Sequence, residues 1–278
     1  MKISKLVKLG IIVLGLAIVT RANAVNALTT KLYDGSLNTA FSAQGWFSNI
    51  PTSAIQTVSN GVTILDTTNN DGLQAGYARF GVPFGNRTTG YTIRLDIQVL
   101  LENHTSSGTA DKNADGIADR AGFSIIALGS DRKGVELGFW VSDTTITDRI
   151  WAQNDGAQKP PPVGTRFTHT EGTSFNPNDN LTRYDLSFFN STYSLYTNGD
   201  YNSPILTGTI RDYQNEGSPY IVPNFLFIGD NTTSASGSFK VATIEVSNTP
   251  IIPVPFEFSP AIGSLGLGVW GLIKYLKK

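Results

Sequence analysis

From Tyr91 onward the chain alternates strictly: Tyr91, Ile93, Leu95, Ile97 and Val99 fall on one side, Thr92, Arg94, Asp96 and Gln98 on the other. A period of two is that of a strand with one buried and one wet face, so this stretch predicts a half-buried antiparallel strand. Phe123 to Leu128 is apolar on both faces, as a central strand would be. Val135, Leu137 and Phe139 alternate with Glu136 and Gly138, which predicts a strand that turns Glu136 to solvent. Asn60-Gly61, a pair that tolerates positive φ, predicts a tight turn before a strand at Val62 to Leu65. Further strands are expected at Trp46-Phe47, Arg149 to Trp151, Arg183 to Phe188 paired with Tyr193 to Tyr196, Phe225 to Asp230 and Phe239 to Val246, with Asn198-Gly199-Asp200 as another turn. Pro160 to Asn180 reads as a long polar connection. At least nine strands separated by turn signals predict an all-β fold, a β-sandwich.

The two ends break this pattern. Lys2, Lys5 and Lys8 precede an apolar run from Leu9 to Val19, and small residues follow at Ala22-Asn23-Ala24 and Val25-Asn26-Ala27. Residues 1–24 therefore predict a signal peptide, cut after Ala24 or Ala27, against the alternative of a buried core helix. Residues 28–248 carry no linker, repeat or low-complexity tract and read as one domain. Residues 249–260 form a proline-rich linker, and residues 261–278 an apolar segment ending on Lys277-Lys278. Spanning hydrocarbon takes about 20 apolar residues, so this tail is a short membrane anchor with a basic cytoplasmic end. A surface amphipathic helix is the alternative.

Composition narrows the chemistry. The chain has no cysteine, which excludes disulfides and thiolate metal sites. With 21 basic against 22 acidic side chains, no overall field draws nucleic acid. The loop Asp111 to Asp119 sets oxygens at alternate positions, Asp111, Asn113 and Asp115, then Gly116 for a sharp turn, the Ile117 carbonyl and Asp119. Hard oxygen ligands at that spacing suit calcium. A full EF-hand is excluded, because Gly122 stands where the bidentate glutamate would be and strands flank the loop. The alternative is a solvated turn that binds nothing. His104 and His169 are the only histidines, and neither comes with a Gly-x-Ser-x-Gly elbow. Sugar hydrolysis would need two carboxylates flanking one bond at about 5–10 Å, and only Glu136 and Glu171 stand out as candidates. No organic cofactor motif is present. Trp46, Trp140, Trp151, Tyr193, Tyr196 and Tyr201 could stack on sugars, but in a sandwich such rings belong first to the core.

The tail resembles the bacterial PEP-CTERM class of sorting tails in its PFE variant, on Pro255-Phe256-Glu257 and Pro260 followed by the glycine-rich apolar segment and the lysines. The resemblance implies a transient or permanent anchor and a membrane sorting protease as partner. The body, with Asp119 to Ser124, Glu136 to Trp140, Leu206-Thr207-Gly208 and Phe225 to Thr232, resembles concanavalin A and laminin-G type jelly rolls. It is also similar to bacterial surface domains described as choice-of-anchor, type Y-like. These resemblances imply a jelly-roll β-sandwich carried on an exported, tail-anchored cell-surface protein, with a non-catalytic glycan-binding or structural role in the envelope or matrix. The alternative is a glycoside hydrolase or lyase of the same fold.

Overall fold

The structure is a computed structural model that describes residues 29–70, 72–104, 111, 113–114, 116, 118–141, 149–157 and 164–252. The chain opens with β1 (Thr29–Asp34), β2 (Phe47–Asn49), β3 (Ile55–Ser59), β4 (Val62–Asp66), β5 (Ala75–Arg79) and β6 (Tyr91–His104). The middle holds β7 (Phe123–Leu128), β8 (Gly134–Phe139), β9 (Ile150–Asp155) and β10 (Arg166–Thr173). It closes with β11 (Thr182–Phe189), β12 (Thr192–Thr197), β13 (Leu206–Thr209), β14 (Phe225–Asp230) and β15 (Ala235–Ser247). The first sheet runs β13-β12-β11-β6-β15-β4-β3, with β1 also on β15; the second runs β10-β9-β8-β7-β14-β5-β2. Every strand pairing is antiparallel, so the expected two-layer sandwich is what the described residues form.

Alternation sets the core. Tyr91, Ile93, Leu95, Ile97 and Val99 of β6 all point into it and are buried. Rings meet across the layers: Phe123 lies 4.3 Å from Phe239, and Phe139 is edge-on to Tyr184 at 5.4 Å. The turn between β3 and β4 has Asn60 at φ 53° and Gly61 at φ 78°. Those are the positive values its Asn-Gly sequence predicts.

Strands β1, β3 and β5 add to the expected set, and three further features depart from the expectations. Within the supposed connection from Pro160 to Asn180 lies β10, an edge strand paired with β9 through two register irregularities. Its alternation is hidden because Arg166, Thr168, His169, Thr170 and Glu171 offer few apolar residues to read. On β6, Leu100 bulges out between the pairs Val99–Phe239 and Leu101–Ser238. The extra residue reverses the parity of the remainder of the strand, leaving Leu101 exposed and Glu102 buried. Glu136, finally, is fully buried rather than solvent-facing. It does point away from the core between Val135 and Leu137, but the outer face of the second sheet carries a further layer. That layer is built from Tyr213 and Tyr220 of the segment before β14 and from Phe167 of β10, packed on Ile126, Leu128 and Phe225.

No helix among the described residues is long and apolar enough to cross a membrane. The leader, the linker and sorting motif from Pro253 on, and the apolar tail all lie outside the described residues.

Candidate functional site

Beneath this third layer sits a polar cluster. Strand β8 sends Glu136 outward, the stretch before β7 supplies Arg120, and Asn231 follows β14. Arg120 is fixed by its neighbour: the Asp119 carbonyl accepts from Gln153 Nε2 at 2.9 Å and Trp151 Nε1 at 3.3 Å, while the Asp119 carboxylate accepts from the His169 amide at 3.3 Å. Arg120 Nη2 donates to Glu136 Oε1 at 2.8 Å and to the Asn231 carbonyl at 2.9 Å. Tyr220 donates to Glu136 Oε2 at 2.6 Å. Asn231 Nδ2 donates to the Tyr220 oxygen at 3.0 Å and to Glu136 Oε1 at 3.4 Å. From below, the Glu136 amide donates to Tyr213 Oη at 3.3 Å, and Tyr213 donates to the Gln153 carbonyl at 2.6 Å.

This is an ion pair taken out of water, with both Glu136 oxygens and the Arg120 Nη2 hydrogen-bonded. Such a pair survives burial only when hydrogen bonds replace the lost hydration. Burial works against the Arg120 cation, but the Glu136 carboxylate and the Tyr220 phenol outweigh it and hold the guanidinium above its ordinary value. Burial, then the Glu136 charge, pushes the Tyr220 phenol well above its ordinary value, so it is a proton donor here and no base. The Tyr213 phenol is raised for the same reasons. Phe167 completes the site at φ 59°, in the left-handed region. A bulky side chain there costs of order 1–3 kcal/mol. Its ring is held by the Arg120 guanidinium 4.7 Å above it and by Tyr220 and Tyr213 at 5.4 and 5.8 Å.

Over this cluster opens a cleft of about 450 Å³ lined by Gln74, Arg120, Phe167, Ser218, Pro219, Tyr220, Asn231, Thr232, Thr233 and Ser234. Among these lining residues the one formal charge is Arg120, already paired with Glu136. Chemically the cleft offers neutral hydroxyl and amide groups, while the rings of Phe167 and Tyr220 in its lining are buried.

The residues expected from sequence fall elsewhere. Asp111 accepts from the Gly116 amide at 2.8 Å. Asn113 is half-buried, Asp119 faces into the fold, and Asp115 and Ile117 lie outside the described residues, as do Pro255, Phe256, Glu257 and Pro260. Among the described residues no group of three or more His, Asp or Glu could hold a metal ion. Glu171 is held at the seam between the sheets, accepting from Tyr193 at 3.1 Å, from the Thr209 amide at 3.2 Å and from Arg211. Trp46, Trp140, Trp151, Tyr193 and Tyr196 are buried; Tyr201 is partly exposed, bonded to Arg94 and Asp185. Arg120, Phe167, Tyr213, Tyr220 and Asn231 escaped sequence reasoning. Tyr213 and Tyr220 bracket a polar stretch without strand alternation, the one signal of a covering segment, while Arg120, Phe167 and Asn231 gave none.

No family model matches the chain, and no curated protein does. Among solved structures it is similar to a carbohydrate esterase from a Shiga toxin-encoding bacteriophage, at 13% identity and a TM-score of 0.45, over 80% of this chain and 100% of that one. The lumenal domain of VIP36 with bound Ca²⁺ and Man2 matches at 11% and 0.44, over 82% of this chain and 91% of that one. The carbohydrate recognition domain of Emp46p in its potassium-bound form matches at 11% and 0.42, over 80% and 97%. At these values the likeness carries no functional information.

Proposed function

We propose that this is an exported, surface-held protein whose β-sandwich body binds glycans without turning them over. The observation that carries the reading is the cleft over Arg120 and Glu136. Exposed Gln74, Ser218 and Thr233 and half-buried Asn231 give it hydroxyl and amide groups that match the hydroxyls of a sugar. Binding is favoured over hydrolysis because both Glu136 oxygens are engaged and the lining holds no carboxylate, whereas hydrolysis needs a pair. Export and anchoring rest on the basic and apolar ends of the sequence, with the membrane and a sorting protease as their partners.

Retention of the full-length protein on a glycan array and on insoluble polysaccharides tests the reading. Thr233, an exposed lining residue, can be enlarged without touching the buried cluster; Thr233→Trp should abolish retention. Wild-type protein that no glycan retains would leave a structural role. Release of reducing or unsaturated ends from any polysaccharide would favour the hydrolase or lyase instead.

Calcium in the Asp111 loop belongs to the same reading. It is supported by the oxygen spacing and by Gly116 at φ 86°, and opposed by the inward carboxylate of Asp119. Millimolar calcium should raise the melting temperature by mass action in wild type and not in Asp111→Ala.

A further inference from the structure

The outer face of the second sheet carries two exposed rings, Phe47 and Phe80, beside a half-buried one, Phe227, that the cleft alone does not use. Along β5 the outward positions are Gly76 and Ala78, flanked by Gln74 at the cleft and Phe80 beyond the strand. In register with Ala78 stand Phe227 on β14 and Phe47 on β2. Phe227 lies directly on bare backbone. A Cβ on Gly76 would come within 2.6 Å of the Phe227 ring, and one on Gly229 within 3.0 Å. Glycine at both places leaves room for the ring, which is half-buried against the outer cluster. Phe47 is 61% exposed and Phe80 54%, and their rings lie 6.5 Å apart. Phe80 in turn sits 5.6 Å from Phe225, which packs with Tyr220 of the cleft.

Large rings held in water on a rigid strand face mark a contact surface. Asn49 donates to the Gln74 carbonyl at 3.2 Å, tying the strand of Phe47 to a residue that lines the cleft. From Gln74 to Phe80 the strip runs about 20 Å at strand rise, well beyond the width of one sugar ring. Neither the strip nor the cleft presents an unpaired charge among these residues.

We propose that Phe227, Phe47 and Phe80 form an aromatic platform that extends the cleft, so that the ligand is an oligomer of neutral sugars lying along β5 with one unit in the cleft. The proposal rests on the glycan-binding reading and adds to it the length and charge of the ligand. Phe47 and Phe80 are exposed enough for Phe47→Ala/Phe80→Ala to fold, and Ile55→Ala, an exposed apolar residue on the edge of the other sheet, is the control.

Titration calorimetry of full-length protein with manno-, cello- and xylohexaose, their monosaccharides and an oligogalacturonate separates the outcomes. Wild type should bind at least one hexaose more tightly than its monosaccharide. The double variant should lose about tenfold on that hexaose and nothing on the monosaccharide, while Ile55→Ala is unchanged. Equal hexaose binding by wild type and the double variant overturns the platform and leaves the cleft reading standing. Preference for the oligogalacturonate overturns the neutral class. Wild type that binds no probe overturns both the platform and the glycan reading beneath it.

Discussion

The two sheets turn charged side chains outward in the same way, and the layer that covers one of them changes what those charges meet. On the first sheet Arg94 donates to Asp185 at 2.8 Å and lies 3.6 Å from Glu245, and Arg183 reaches Asp96 at 3.2 Å, with the Arg183 side chain 48% exposed. On the second sheet Glu136 and Arg120 make a pair of similar length, but at 0% and 7% exposure. The Arg183–Asp96 pair is screened by water and Arg94 is 31% exposed although its partner Asp185 is fully buried, whereas both Arg120 and Glu136 are closed in by Tyr213, Tyr220 and Phe167. Strand period determines which face a charge takes; the layer laid on that face determines what the charge is worth.

The largest effect should come from breaking the covered pair. Arg120→Met leaves Glu136 buried without its cation, and urea unfolding should show a loss of about 3–5 kcal/mol. Adding Glu136→Leu should recover much of it, because two apolar residues leave nothing to neutralise. Tyr220→Phe removes one charge-assisted hydrogen bond and should lower stability by about 1.5–3 kcal/mol in the same assay.

Glu102 sharpens the comparison from inside the sandwich. The Leu100 bulge turns it inward, where it accepts from the Gly122 amide and, at 2.7 Å, from the Val141 amide. Burial raises its carboxyl well above the ordinary value, opposed by those two amides. A folded pKa above the unfolded one favours the protonated fold. The stabilisation is therefore complete below the unfolded value of about 4.3 and is lost as pH rises through the folded one. The stability of wild type relative to Glu102→Gln should fall over that window and then level off, as urea midpoints from pH 4 upward will record. The smallest effect belongs to the open face: Arg183→Ala should change stability by no more than about 1 kcal/mol, less in high salt.

Much of the fold is legible in the chain alone. The alternation in Tyr91 to Val99, the doubly apolar run at Phe123 to Leu128 and the Asn60-Gly61 turn each encode a local geometry in neighbouring residues. Little of the candidate site is legible in that way. Arg120, Glu136, Tyr220 and Asn231 come from four separated stretches and share no spacing rule. Strand β10 escapes because its polar edge sequence matches a loop as well as a strand.

The sequence by itself determined most of the strands, their inward faces and from them the expectation of a sandwich, because a period of two acts between adjacent residues and needs no partner to be read. Tertiary structure alone decided that Glu136 is dry, that Glu102 turns inward after an added residue, and that rings gather beside a polar cleft. Each of those depends on which distant segment covers a given face, and burial belongs to that encounter rather than to the local chain.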